Sequence, residues 1–197
     1  MEALFNILMR TARRPNYFDE AVSSVMNQTY KNFRILVASE GDSYVKNYPV
    51  EVVKVSHVER KNYNHIPWNT HFNQLLDRVT GGWVIYLDDD VLLKPYALET
   101  LEAYTDNSRA LMIYKYRFPN GRVIPEREFW MRAPVRKHID TGCFCHHAKY
   151  KVRWPNTKAG DWQTVRKLYN IIHPVWIDKV LVTAQNMGLS GKLIDKK

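Results

Sequence analysis

Three consecutive aspartates, Asp88, Asp89 and Asp90, follow directly on the apolar run WVIYL at 83–87. Adjacent carboxylates repel one another, so such a triplet costs electrostatic energy unless a cation or a bound group compensates it. At the end of a strand, side chains alternate; Asp88 and Asp90 then share one face and Asp89 turns to the other. Two carboxylates on the same side suit Mg2+ or Mn2+, hard cations that take one or two protein carboxylates and complete their shell with water and substrate phosphate. A turn that only caps the next segment, LKPYALETLEAY, needs one or two aspartates rather than three. Asp161 is a further candidate, at the head of the helical segment GDWQTVRKLYNII (160–172). There the helix dipole favours the anion, which suits a helix cap and a general base equally.

Other groups of reactive residues fit their obvious chemistry less well. CFCHH (143–147), with His138 nearby, suggests zinc, but its spacing does not match the usual zinc sites. As a strand it places Cys143, Cys145 and His147 on one face and Phe144 and His146 on the other, which suits a pocket lining. Cysteines this close cannot form a disulfide with each other, and this usage favours a reducing, cytoplasmic compartment. His173 stands as a candidate extra metal ligand or an ordinary histidine. Arginines mix with aromatics in RTARRP (10–15) and in RFPNGRVIPEREFWMRAPVRKH (117–138). Nucleic-acid binders share that pattern, but no recognisable nucleic-acid motif accompanies it.

The elements that must position these residues follow from the apolar periodicity. The chain has 197 residues, 45% of them hydrophobic, enough for one core or at most two small lobes. Its net charge of +9 favours anionic partners such as a nucleotide, a phosphorylated lipid or nucleic acid. No apolar run approaches the length of a membrane span. The opening MEALFNILMRTARR places its bases after its apolar part, the reverse of a secretory signal, and reads as a first buried strand at 4–9. A helix follows at 17–28, with Phe18, Ala21, Val22, Val25 and Met26 on one stripe and Asp19 and Glu20 in its first turn. Buried strands are expected at 33–39, ending in the acidic turn Glu40-Gly41-Asp42, and at 50–56. A helix at 67–82 then leads to the strand that delivers the aspartates. Strand, helix, strand at this spacing makes right-handed parallel β-α-β units. The second half holds strands at 110–118, 140–147 and 178–184, a hairpin turn at 119–121, and a helix with Trp162, Val165, Tyr169 and Ile172 at helical spacing. The expected architecture is α/β: one domain with a mostly parallel central sheet flanked by helices, and a small antiparallel extension in the second half.

Three segments together resemble the inverting, family-two type glycosyltransferases of the nucleotide-diphospho-sugar transferase (GT-A) fold. AVSSVMNQTYKNFRILVASEGDS resembles the helix ending in Gln-Thr-Tyr that leads to the second strand and an acidic turn. NQLLDRVTGGWVIYLDDD resembles the asparagine, glycine, strand and Asp-X-Asp run. TGCFCHH with AGDWQTVRKL resembles the acceptor strand and the Glu-Asp-Trp helix start, with Gly160 standing where the family has glutamate. The resemblance implies a divalent ion, Mn2+ or Mg2+, held by Asp90 with Asp88, and a donor nucleotide sugar, a UDP-sugar. It implies donor-side roles for Thr11, Arg14, Glu40, Asp42, Asn73, Asp88 and Asp89, with Arg10 and Arg13 as further phosphate contacts. Asp161 would be the base that deprotonates an acceptor hydroxyl on a glycan, a lipid-linked acceptor or a protein. Residues 1–95 would form the donor half and 96–197 the acceptor half of a single domain, cytoplasmic and able to contact a membrane surface. Competing readings are a retaining transferase, a nucleotidyltransferase and a basic nucleic-acid-binding module. RTARRPN lacks the glycine of a nucleotidyltransferase phosphate loop.

Overall fold

Strand β1 (Phe5–Thr11) is the axis of the first half, flanked in parallel by β2 (Phe33–Ser39) and β4 (Trp83–Asp88). The computed structural model describes residues 2–59, 61–62, 64–106 and 109–187, so residues 188–197 of the expected domain lie outside the described residues. A strand paired on both sides and covered on both faces must be apolar throughout, and Phe5, Ile7, Leu8 and Met9 are fully buried. Asn6 is the polar residue within that apolar run, and it turns its amide to the carbonyls of Gly81 and Trp83, each at 2.9 Å. Gly82, at φ +81°, is required at that junction, because a Cβ there would stand 2.5 Å from the Leu4 carbonyl.

Helix α1 (Pro15–Met26) buries Phe18, Ala21, Val22 and Val25, as the stripe requires. Pro15 starts it two residues earlier than expected, because proline's fixed φ suits the first helical turn. Asp19 and Glu20 therefore fall outside the first turn, and Met26 is 37% exposed. At the helix end Gln28 is fully buried, with its amide donating to the carbonyls of Ser24 and Lys94. Its own carbonyl accepts from Leu98 N in helix α3 (Ala97–Glu102), so one side chain fastens two helices. Strand β3 (Glu51–Lys54) is shorter than expected and mostly exposed, an edge strand paired only with β2.

The second half is where the antiparallel pairs gather. The sheet runs β3-β2-β1-β4-β8-β6-β9-β5, with β7 (Val123–Ile124) paired to β6 (Ala110–Arg117) as the expected hairpin. Strand β8 (Phe144–His147) lies antiparallel between β4 and β6. The segment 140–143, expected as part of that strand, is instead a turn. Strand β9 (His173–Ala184) is five residues longer at its start than expected; it runs parallel to β6, shifts register near Lys115, and ends antiparallel to β5 (Val91–Leu93). A register shift bends a strand, and that bend carries Gln185 and Asn186 back onto Asp90. Helix α4 (Gly160–Tyr169) buries Thr164, Val165 and Leu168, while Trp162 and Tyr169 are only half-buried. Trp162 is drawn off the core face because its indole N–H donates to the Pro134 carbonyl at 2.8 Å.

Candidate active site

The carboxyl ends of β1 and β4 lie side by side, with Arg10 opposite Asp88 in the pairing. Arg10 Nε donates to Asp88 Oδ1 at 2.5 Å, and its Nη1 donates to Asn69 Oδ1 at 2.7 Å. Asn69 heads helix α2 (Asn69–Asp77), and its amide nitrogen donates to the carbonyls of Pro155 and Thr157. One guanidinium and one amide thus tie β1, β4, α2 and the approach to α4 together.

Asp89 is fully buried between half-buried Asp88 and Asp90, but β4 ends at Asp88: Asp89 and Asp90 lie in the following turn and share Arg14, whereas Asp88 pairs with Arg10, so the expected strand alternation does not run through the triplet. It accepts from the Thr11 hydroxyl at 2.7 Å and from the Arg14 guanidinium. Burial pushes its carboxyl up to about 7, while Arg14 pulls it down. Arg14 also donates to Asp90 Oδ2 at 2.9 Å; burial works against its charge, but Asp89, Asp90 and Asp88 raise it on balance. Asn186 donates to the same oxygen of Asp90 at 2.9 Å. Thr11 and Asp89, expected at the donor, therefore hold each other and the partly exposed Arg14.

Glu40 and Asp42 line a pocket of about 310 Å³ with Ala12, Arg13, Gly41 and His57, beyond the ends of β1 and β2. Asp42 fastens that turn by accepting from the Ser39 hydroxyl at 2.8 Å and from Arg13 N at 3.1 Å. Glu40 faces His57, with 2.9 Å between Oε2 and Nδ1. Asn73 is placed elsewhere: its amide donates to the Trp154 carbonyl at 3.0 Å, and its oxygen accepts Trp154 N at 2.8 Å. These bonds fasten α2 to the Trp154 backbone.

Asp161 lies in the first turn of α4, with Oδ1 accepting the Trp162 N–H at 2.7 Å. Burial pushes its carboxyl upward and Asp88 adds to that; the Trp162 N–H and Arg10 act in the opposite direction. Asp140, which sequence reasoning did not single out, belongs to the same group. Burial raises its carboxyl, and Asp161, Asp88 and Asp90 raise it further, against one bond from Thr141 N at 2.8 Å. Only its place beside the acceptor motif, in DTG, hinted at it. Gly160 has its own reason: a Cβ there would stand 2.4 Å from Asn69 Nδ2 and 2.9 Å from the Pro155 carbonyl. A glutamate has no room where Asn69 braces the site.

Of the remaining sequence candidates, Cys143 adjoins this cluster, its thiol donating to the Asp140 carbonyl at 3.0 Å. His146 is fully buried, its Nδ1 donating to the His147 carbonyl at 3.0 Å and its Nε2 accepting the Tyr86 hydroxyl at 3.1 Å. Burial lowers its pKa to about 4, so the ring is neutral and spent on structure. Burial also raises the thiols of Cys143 and Cys145. Among the described residues no group of three His, Cys, Asp or Glu side chains is already arranged around a metal position. His173 is exposed at the start of β9, roughly 40 Å of strand length from the residues that meet Asp90.

The model of the glycosyl transferase family 2 matches residues 7–155. A GalNAc(5)-diNAcBac-PP-undecaprenol beta-1,3-glucosyltransferase of Campylobacter jejuni is 30% identical over 101 residues, 49% of this chain and 32% of that protein. An uncharacterized glycosyltransferase of Methanocaldococcus jannaschii is 22% identical over 134 residues, 62% of this chain and 46% of its own length. The chain thus spans between a third and a half of these curated relatives. In fold it is similar to residues 1–349 of S. aureus TarS in complex with UDP, with a TM-score of 0.72 at 19% identity over 91% of this chain and 60% of that one. It is similar also to the mannosyltransferase PcManGT of Pyrobaculum calidifontis in complex with GDP-Man and Mn2+, with a TM-score of 0.67 at 14% identity over 94% and 57%. The expected α/β architecture is the one observed, the family match runs from within β1 to the loop before α4, and the chain belongs to glycosyl transferase family 2.

Proposed function

We propose that this chain transfers a sugar from a nucleoside diphosphate donor, a UDP-sugar, to an acceptor hydroxyl with inversion at the anomeric carbon. The observation that carries this reading is the meeting of Asp88, Asp90, Asp140 and Asp161 beyond the carboxyl ends of the parallel strands, where α/β sheets bind ligands. The pocket between Arg13, Glu40, Asp42 and His57 would take the base and ribose. Residues 1–95 form the donor half in this reading, and 96–197 the acceptor half. The printed name of the C. jejuni relative supports a lipid-linked glycan as the acceptor class.

The residues present fit a divalent cation. Five carboxyls, Asp88, Asp89, Asp90, Asp140 and Asp161, interact with one another and with only two guanidiniums, Arg10 and Arg14, leaving the cluster net negative. All are hard oxygen donors, the ligand type Mn2+ and Mg2+ prefer. Asp88 and Asp90 would hold the ion, which when bound would neutralise charge developing on the diphosphate leaving group. Arg14, relieved of Asp90, is within reach of the same phosphates. Asp161 would take the proton of the attacking hydroxyl on the oxygen that Trp162 does not engage. As the hydroxyl oxygen bonds to the anomeric carbon, the bond to the diphosphate oxygen breaks.

The ion pairs themselves favour a second reading, in which Arg10 and Arg14 are the permanent counter-charges and transfer needs no metal. A thermal-shift panel of UDP, GDP, CDP and ADP, in Mn2+ and in EDTA, separates the two. A nucleotide at a hundred times its Kd should stabilise the fold by about 2.7 kcal/mol. The proposal expects UDP to do so only with Mn2+, and Asp90→Asn to abolish the effect. UDP stabilisation undiminished by EDTA would favour the second reading, and indifference to every nucleotide would end both. Salt-sensitive oligonucleotide binding that survives Asp90→Asn would point instead to the nucleic-acid module.

A further inference from the structure

The acceptor half carries a surface that the chemistry above does not use. Between β7 and the turn at Asp140, residues 126–137 form a loop whose inner side is firmly anchored. Trp130 packs edge-on against Trp176, with centroids 5.1 Å apart, and the Lys115 ammonium lies 5.0 Å from the centre of the Trp130 ring. Phe129 lies against the His138 ring, Trp162 holds the Pro134 carbonyl, and Arg122 holds that of Lys137. On its outer side Met131 is 69% exposed, the most of any large apolar side chain among the described residues, and Val135 is 40% exposed. Met131 has φ +59°, a left-handed conformation that side chains other than glycine adopt at a cost. The loop is therefore not a slack segment: its aromatics are packed inward while two aliphatic side chains are held in water.

Charge around those two residues is lopsided. Arg127, Arg132, Arg136 and Lys137 are all exposed. Of the two acids in the loop, Glu126 is already paired with Arg122 at 2.7 Å, which leaves Glu128. Exposed aliphatics ringed by bases match the interface of an anionic bilayer, where apolar side chains enter the headgroup boundary and Lys and Arg meet lipid phosphates.

We propose that residues 127–137 are a docking surface for an anionic membrane, with Met131 and Val135 inserted at the headgroup level. This rests on, and deepens, the reading of a lipid-linked acceptor. Trp162, which fastens the loop, directly follows Asp161, so an acceptor rising from the bilayer beside the loop arrives at the base.

Co-sedimentation of the full chain with vesicles tests it, using pure phosphatidylcholine and phosphatidylcholine mixed with phosphatidylglycerol. The expected result is binding to the anionic vesicles only, weakened by salt. Arg132→Glu with Arg136→Glu should weaken it at least twenty-five-fold, given on the order of fivefold for each base removed. Met131→Ser with Val135→Ser, which changes no charge, should weaken it on the order of tenfold. All four residues are exposed, and unchanged melting temperatures would show that the variants fold. Equal failure to bind both vesicle types would overturn the proposal. So would binding that follows charge alone: lost in salt, displaced by a short RNA, and unchanged in the double serine variant. The nucleotide panel is a separate readout: vesicle binding without nucleotide binding removes the transferase reading but keeps the surface, and the converse removes only the surface.

Discussion

At the end of β4, Asp88, Asp89 and Asp90 are met by guanidiniums, Arg10 on the first and Arg14 on the other two. Asp140 and Asp161 pair directly with no guanidinium among the described residues; each accepts one backbone N–H, from Thr141 and Trp162. Burial and mutual repulsion push both acceptor-side carboxyls upward. The donor side holds its charge in ion pairs that an incoming cation or diphosphate can exchange. The acceptor side defers its charge, and a carboxylate with a raised pKa is the stronger base once ionised. The two arrangements suit leaving-group neutralisation and proton removal respectively.

The comparison breaks first at Asp161. Asp161→Asn should lower kcat by about 10²- to 10⁴-fold, the usual worth of a general base, while nucleotide binding stays intact. Loss of nucleotide binding in parallel with kcat would mean that the two carboxylate groups are not distinct. The rate should also fall on acidification, since a base must be ionised to act, with a midpoint above the ordinary carboxylate range because Asp161 is raised. A profile flat down to pH 4 would contradict the assignment.

Arg14→Ala tests the donor side. Removing one partner of a buried pair leaves the other uncompensated, so the fold should lose roughly 3 kcal/mol by chemical denaturation. Adding Asp89→Asn should restore part of that loss; strict additivity would dissolve the pair. Gly160→Ala should cost about 2 kcal/mol, because its methyl group must displace Asn69 or the Pro155 carbonyl. A smaller companion change, Asn69→Ala, should make that substitution cheaper.

The smallest expected effect has the opposite sign. A carboxyl raised on folding contributes stability below its unfolded pKa, and that contribution is lost as pH rises through the folded value. Asp140 is such a group, so at neutral pH it weighs against the fold. Asp140→Asn should therefore raise stability at pH 7 and leave it unchanged near pH 3. Destabilisation at both pH values would show that Asp140 is held by bonds rather than tolerated for function.

The donor half was readable from its residues because its chemistry is local. Apolar runs of strand length, a helical stripe and the acid triplet are each read within a few residues, although the strand ends before alternation can order the three aspartates. Helix starts were less legible: Pro15 moved α1 forward and took Asp19 and Glu20 out of its first turn. In the second half, β5 is three residues long and pairs with a strand some ninety positions away, so nothing nearby announces it. Asp140 was missed for the same reason, since its partners Asp88, Asp90 and Asp161 are distant in the chain.

By itself, then, the order of residues determined which segments are buried strands, where the acids stand, and the family to which the chain belongs, because apolar periodicity and short motifs are read within one stretch of backbone. Tertiary structure alone decided that Asn73 clasps the Trp154 backbone, that Gly160 must stay bare beside Asn69, and that Asn186 closes on Asp90. Those outcomes depend on distances between segments set by sheet pairing and the bend of β9, and a charge or an amide acts on whatever that pairing brings within a few ångströms.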